Sequence, residues 1–251
     1  MAGHSHWAGI KHKKAAIDNK RGKLWSRLSK AIIVAAKSGG GDIDTNHRLR
    51  QAIQDAKDVS MPKENITRAL KKGTGELGGS DVEEIAYEGY ANHGVAVMCD
   101  IMTDNRNRTA PEIRKMFEIH NGNLGATNCV GWIFNRKGLF LVLAENVNEE
   151  QLIEIALEAG ADDIRETNGL IEITCEPEDY TSLSDALRDA KIDVESKQVT
   201  RIPTNTIELD VNQARQVMKL LEALDDHDDV QNVSANFNIS DEVLAELQAE
   251  S

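Results

Sequence analysis

The sequence predicts an α+β protein with an N-terminal helical bundle, an α/β second domain and a ferredoxin-like third domain inserted into the second. Three observations predict it. In the first 72 residues apolar side chains recur at helical spacing and stop at glycines; after the glycine-rich segment 73–80 the period becomes that of strands; and residues 132–201 alternate strand, helix, strand, strand, helix, strand. The expected boundaries are 1–79 for the basic helical domain, 80–130 plus 205–251 for the discontinuous α+β domain, and 131–204 for the insertion. At roughly 150 residues per domain, a chain of 251 residues has room for two domains or three small ones.

The first expected helix covers about residues 20–37. On a wheel of about 100° per residue, Lys20, Lys23, Arg27, Lys30 and Lys37 fall within an arc of roughly 100°. Leu24, Trp25, Leu28, Ala31, Ile32 and Ala35 take the opposite side, so the helix is expected to dock by its apolar face and present a cationic ridge outward. A break at Ser38-Gly-Gly-Gly41 follows. Leu49, Ala52, Ile53 and Ala56 then mark a second helix, and a third starts near Pro62 with Ile66, Ala69 and Leu70 inside and Gly73 as its stop. Four glycines among residues 73–80 make that segment a loop or linker.

Beyond it, Tyr87 and the run Gly94–Met102 read as strands, and Thr109-x-x-Glu112 reads as a capping box opening a helix with Ile113, Met116 and Phe117 inward. Strand 132–143, helix 149–159, strands 162–167 and 169–175, helix 179–190 and strand 194–201 form the split βαββαβ pattern of an antiparallel sheet with two helices on one face. Thr206–Asp210, a helix over 212–224 and a strand over 230–239 are expected to complete the sheet begun before residue 130.

Composition excludes several classes. With 40% hydrophobic and 28% charged residues the chain is neither collagen-like nor wholly disordered. Its longest apolar runs, Ala31–Ala36 and Leu139–Ala144, fall far short of the roughly 18–20 residues that cross a bilayer, and lysines follow Trp7 where a secretion signal would be apolar. A cytoplasmic protein without membrane contact is expected. Cys99, Cys129 and Cys175 are odd in number and form no Cys-x-x-Cys pair, which suits reduced thiols.

The net charge of −13 is the sum of two opposite parts. Residues 1–72 hold 16 Lys and Arg against 6 Asp and Glu, a net of +10, and the remaining residues carry −23. A basic front attracts phosphate while an acidic body repels it, which confines nucleic-acid contact to one end. The expected contacts are Lys11, His12, Lys13 and Lys14 in the basic arm and Lys20, Arg21, Lys23, Arg27 and Lys30 on the ridge, with Trp7 free to stack on a base. The plainer alternative is a solvated basic surface with Trp7 tucked into the bundle. Arg106 and Arg108, in Asp104-Asn-Arg-Asn-Arg108 at a helix mouth, could hold a phosphate or an RNA edge beside free N–H groups, or could pair with the acidic surface. Gly122-Asn-Leu-Gly125 serves either backbone turning or function.

Asp225-Asp-His-Asp-Asp229 lacks the spacing of a metal loop and reads as a solvated helix end. If Met1 is removed, Ala2-Gly3-His4 offers a square-planar donor set for Cu(II) or Ni(II), of the kind that binds such ions adventitiously. No phosphate-loop, His-Glu-x-x-His, Gly-x-Ser-x-Gly or dinucleotide motif occurs, which favours a binding protein without cofactor over an enzyme.

Residues 2–23, Ala-Gly-His-Ser-His-Trp-Ala-Gly-Ile-Lys-His-Lys-Lys-Ala-Ala-Ile-Asp-Asn-Lys-Arg-Gly-Lys, resemble the opening signature of the YebC/PmpR family. Gly39-Gly-Gly-Asp42, Asn46-x-Arg-Leu-Arg50, Tyr87-Glu-Gly-Tyr90, Asp104-Asn-Arg-Asn-Arg-Thr109, Gly122-Asn-Leu-Gly125 and Asp228-Asp-Val-Gln231 are similar to its blocks, in order. The sequence departs from the family pattern at His6, where Lys is usual, and at Asn128 and Cys129, where glycine and serine are usual. The resemblance implies the same three-domain arrangement and a DNA-binding transcriptional regulator. The family's mitochondrial relative, a translational activator of cytochrome oxidase subunit one, implies instead a ribosome-associated factor on ribosomal or transfer RNA. An aromatic-bearing basic arm leans toward RNA, whose irregular regions offer unstacked bases. A monomer is expected, and a scaffold that captures proteins on the acidic sheet face is the alternative from another class.

Overall fold

The computed structural model describes residues 19–78, 82–167 and 169–249. The described residues form two compact units, one holding Asn19–Cys129 together with Gln216–Val233, the other Val130–Arg215 together with the residues after Val233.

The first unit opens with three helices, α1 (Asn19–Gly39), α2 (His47–Asp58) and α3 (Lys63–Gly73). Their positions follow the apolar spacing. Leu49, Ala52, Ile53 and Ala56 of α2 and Ile66 and Ala69 of α3 are buried, whereas α1 changes character along its length. Trp25 and Leu28 are partly buried, but Ile32, Ile33, Val34, Ala35 and Ala36 are all buried, so the second half of α1 is enclosed rather than one-sided. The same cluster continues past the glycine-rich segment to Val82 and Met102.

The turn between α1 and α2 explains two of the sequence blocks. Asn46 caps α2 by accepting the Leu49 N–H at 3.0 Å, while its amide donates to the carbonyls of Ala35 and Gly40, both at 2.8 Å. A Cβ on Gly39 would meet that amide at 2.6 Å, and Gly40 has a φ of +83°, so glycine is required at both positions. Arg50 then clamps the loop, donating to the carbonyls of Ile43 at 3.1 Å and Asp44 at 2.6 Å.

Strands β1 (Glu83–Tyr90), β2 (Ala96–Thr103), β3 (Asn123–Leu124) and β9 (Val230–Ala235) form a sheet in the order β3-β1-β2-β9. Interior β2 is buried at every position except Asp100, which is why its sequence shows an apolar run instead of alternation. Helix α4 (Arg106–Ile119) crosses with Thr109, Ile113 and Phe117 buried. Its start differs from the expected capping box: Asn105 is the N-cap and accepts the Arg108 N–H at 3.1 Å. Asn is at least as strong a cap as Thr. Thr109 lies inside the first turn with its hydroxyl turned to another partner.

In the second unit, β4 (Phe134–Leu143), α5 (Glu149–Glu158), β5 (Ala161–Thr167), β6 (Leu170–Cys175), α6 (Tyr180–Asp189) and β7 (Ser196–Pro203) follow in turn. The sheet order is β5-β6-β4-β7 with every neighbour antiparallel, the ferredoxin-like arrangement. Phe140, Val142, Ile171, Ile173 and Cys175 pack on Leu152, Ala156, Tyr180, Leu183 and Leu187 of the two helices, with the Phe140 and Tyr180 rings 4.9 Å apart. The segment expected to complete the first sheet behaves differently. Only β9 joins it; β8 (Ile207–Glu208) pairs in parallel with β10 (Phe237–Asn238) in a separate two-stranded ribbon. The strand expected over 230–239 breaks at buried Asn236, whose carbonyl accepts the Ile207 N–H at 2.9 Å and whose amide donates to Asn205 at 3.3 Å. Helices α7 (Val211–Asp225) and α8 (Asp241–Ala249) complete the elements. Among the described residues no helix is long and apolar enough to cross a membrane.

Candidate nucleic-acid interface

The expected contacts fall into three groups. Trp7, Lys11, His12, Lys13 and Lys14 lie outside the described residues, as do the side chains of Lys20 and Arg21, and the Ala2-Gly3-His4 terminus. Lys23, Arg27 and Lys30 share one face of α1, as the helical wheel requires. That face does not point into open solvent. It meets the acidic turn after α7: Lys23 Nζ lies 3.1 Å from Asp226 Oδ1, Arg27 reaches both the carboxylate (3.4 Å) and the carbonyl of Asp225, and Lys30 Nζ donates to Asp229 Oδ1 at 2.5 Å and to the Asp228 carbonyl at 3.0 Å. The ridge and the Asp-rich turn, read separately in the sequence as a phosphate-seeking surface and a solvated helix end, are partners in one ion-pair seam.

Asp229 is the centre of that seam, and its side chain is 3% exposed. Besides Lys30 on Oδ1, its Oδ2 accepts the Arg108 guanidinium at 2.6 Å, the Thr109 hydroxyl at 2.6 Å and the Thr103 hydroxyl at 3.0 Å. Burial by itself would raise the pKa of Asp229; the hydrogen bonds from Lys30, Thr109 and Arg108, with the Lys30 charge, outweigh it and hold the carboxyl well below the usual carboxylate range. The backbone is tied in too. The Asp229 carbonyl accepts the Met102 N–H at 2.9 Å, its N–H donates to His227 Nδ1 at 3.1 Å, and the opposite ring nitrogen, Nε2, faces Glu112 at 3.0 Å. With Nδ1 accepting, Nε2 carries the proton and donates to that carboxylate.

This accounts for the two arginines of the Asn-Arg segment separately. Arg108 sits among Asp229, Asp104 at 3.4 Å and Glu112 at 4.0 Å, and the hydrogen bond and charge of Asp229 raise its pKa further. Its fork is committed within the chain. Arg106 is exposed and makes no ion pair among the described residues. The blocks Asp104–Thr109 and Asp228–Gln231 thus meet at Asp229. Thr103, Thr109 and Asp229 come together only in the fold, because sequence pattern registers neither a hydroxyl's partner nor long-range pairing.

Displacing the seam is costly. A buried carboxylate stripped of its cations loses about 3–5 kcal/mol. Lys30 and Arg108 are therefore held by the fold. Lys57 at the end of α2 and Lys63, Arg68, Lys71 and Lys72 of α3 have no ion pair among the described residues.

Glycines of the blocks Tyr87–Tyr90 and Gly122–Gly125 act in packing. A Cβ on Gly89 would lie 2.4 Å from the Asn123 carbonyl, on Gly122 2.8 Å from that of Tyr90, and on Gly125 2.4 Å from Cys129 Sγ. The loop hangs on buried Glu88, whose carboxylate accepts the Asn128 N–H at 2.9 Å and whose carbonyl accepts the Gly125 N–H at 2.8 Å. Asn128 has a φ of +65°, the left-handed conformation that suits the glycine usual in the resembling family. All three cysteines are free. Burial, with Asp162 next, pushes the Cys175 thiol up to about 12, and burial likewise raises Cys99 and Cys129, the opposite of what a reactive thiolate needs.

Residues 5–76 match a family model described as the TACO1/YebC protein N-terminal domain, and residues 82–237 match one described as the TACO1/YebC second and third domain. The first match ends within the glycine-rich segment and the second begins just after it. A protein of Natranaerobius thermophilus named "Probable transcriptional regulatory protein" is 54% identical over 247 residues, 97% of this chain and 99% of its own. One of the same name from Rhodopirellula baltica is 55% identical over 98% of this chain and 100% of its own. The crystal structure of a conserved hypothetical protein from Aquifex aeolicus superposes with a TM-score of 0.85 at 49% identity, covering 94% of this chain and 98% of that one.

Proposed function

The chain belongs to the TACO1/YebC family, and on that premise we propose that it is a regulator of gene expression that acts by binding nucleic acid rather than by catalysis. One observation carries the reading: the basic excess is confined to residues 1–72, at +10, while the rest of the chain stands at −23. Such a molecule approaches a polyanion by one end. Relatives named "Probable transcriptional regulatory protein" over nearly their whole length support a regulatory role.

The first form of the reading is a transcriptional regulator that holds duplex DNA through backbone contacts, with modest sequence specificity because few residues are placed to read base edges. The second is a ribosome-associated translation factor on ribosomal or transfer RNA, favoured by a basic arm that carries Trp7 and by an acidic body that a long regular duplex would repel. Sedimentation of lysate through a gradient, with and without nuclease, separates them. Co-migration with ribosomal subunits that survives DNase supports translation; association abolished by DNase supports transcription; migration as a free protein under every condition contradicts both. A protein scaffold would keep its partners after deletion of residues 1–30.

A further inference from the structure

The cationic ridge of α1 is the surface that the sequence marks most strongly, and the fold has already used it. With Lys23, Arg27, Lys30 and Arg108 turned onto the acidic turn, the positive charge of this unit that remains for a partner lies elsewhere. Helix α3 carries it. Ile66 and Ala69 anchor the helix in the core, and Arg68 and Lys71 stand on the opposite crest, flanked by Lys63, Thr67 and Lys72. Glu64, the only acid of the helix, lies on the same crest one turn before Arg68 and offsets one of its four cations, Lys63, Arg68, Lys71 and Lys72; Lys57 adds a cation just before the helix in the chain. By contrast, the exposed cations of α4, Arg106, Arg114 and Lys115, are interleaved with Glu112 and Glu118.

We propose that the outward face of α3, centred on Arg68, Lys71 and Lys72, is the phosphate-contacting surface of the folded unit, and that its partner is a single-stranded or looped segment of RNA. This rests on the nucleic-acid reading above and names where the folded part makes contact. An α-helix of 11 residues is about 16 Å long, enough for two or three successive phosphates of one strand. Duplex DNA carries a charge every 1.7 Å or so of its axis and would continue past the cations of this short helix, whose neighbours in the chain on either side include the exposed acids Asp58 and Glu76. A single strand can turn away from these acids after the contact. Mobile lysines on a helix crest bind backbone without reading bases, so the surface supplies affinity and leaves selectivity to other parts of the chain.

The test is fluorescence anisotropy of the full chain with a short mixed-sequence single-stranded RNA and with duplex DNA of the same sequence, over about 50 to 200 mM KCl. The parent should prefer the RNA. The triple variant Arg68→Gln, Lys71→Gln, Lys72→Gln should bind it at least about tenfold more weakly, with a salt slope shallower by about two, since each single-strand phosphate contact contributes about 0.7. Lys23→Gln should leave the slope unchanged. If the triple variant loses its helical circular dichroism, Arg68→Glu alone replaces it and should weaken binding in the same direction. RNA binding by the parent that these α3 changes leave intact overturns this inference and spares the reading it rests on. A preference for the duplex overturns the choice of RNA. A parent that binds neither probe overturns both.

Discussion

Lys30 Nζ lies 2.5 Å from Asp229 Oδ1, and the two residues are 199 positions apart in the sequence. The pair helps bring the residues after α7 onto the first helix. Thr103 and Thr109 add hydroxyl donors and Arg108 a second cation, so the carboxylate is satisfied by two charges from two different helices, α1 and α4. A buried charge in this setting contributes through its completeness: removing one member exposes the rest to the desolvation cost.

Asp229→Ala should therefore be among the most damaging single changes in the chain. It removes the buried carboxylate that Lys30, Arg108, Thr103 and Thr109 share, leaving each with only its second partner, and a loss of about 3–5 kcal/mol is expected. Urea unfolding followed by circular dichroism measures it; a change below about 1 kcal/mol would show that the network is ornamental to stability.

The same residue sets an acid limit. Its carboxyl is held below its ordinary value by Lys30, Thr109 and Arg108 acting against burial, so the unfolded chain binds a proton at a pH where the folded one does not. The stabilisation is complete above the ordinary carboxylate pKa of about 4 and is lost as pH falls below it toward the depressed folded value. Thermal melts between about pH 3 and 6 should show a steep fall on the acid side, and Asp229→Asn should flatten it. Equal acid sensitivity of parent and variant would assign the fall to other groups.

Burial should also grade the ion pairs along the seam. Asp226 is 83% exposed and Asp229 3%. A double-mutant cycle on Lys23 and Asp226 should give a coupling of about 0–1 kcal/mol, the usual worth of an exposed pair. One on Lys30 and Asp229 should exceed it by at least about 1 kcal/mol. Equal couplings would mean that solvent reaches both pairs alike.

The loop around Glu88 favours glycine at two positions for different reasons, space at Gly89 and a left-handed backbone at Asn128. Gly89→Ala places a Cβ 2.4 Å from the Asn123 carbonyl and should destabilise by about 1–3 kcal/mol. Asn128→Gly relieves a left-handed residue and should be neutral or mildly stabilising, whereas Asn128→Val should cost about 1–2 kcal/mol. Melting temperatures of the three variants give the order; a Gly89→Ala protein as stable as the parent contradicts the packing argument.

Much of this fold is legible along the chain. The spacing of Leu49, Ala52, Ile53 and Ala56 and the alternation after residue 132 are local periodicities, and α2 and the ferredoxin-like sheet form where those periods lie. What escapes is long-range pairing of short polar segments. A run of acids at 225–229 looks solvated and the ridge of α1 looks free because each has its partners roughly 200 positions away in the chain; the fold cancels one against the other. Helix α4 begins at Asn105 and Thr109 serves Asp229 because two competing caps lie four residues apart, and a hydroxyl's partner depends on tertiary contacts. The single strand expected over 230–239 divides because Asn236 finds buried partners that period-two patterning does not register.

The most direct measurement is the salt dependence of nucleic-acid binding by the full chain, compared with a variant in which Lys11, Lys13, Lys14, Arg68, Lys71 and Lys72 are changed to glutamine. The account predicts that the parent loses about a thousandfold or more in affinity between about 50 and 200 mM salt if six or more phosphates are engaged, and that the variant binds weakly with a nearly flat dependence. A variant that binds as tightly as the parent, along the same salt slope, would contradict it.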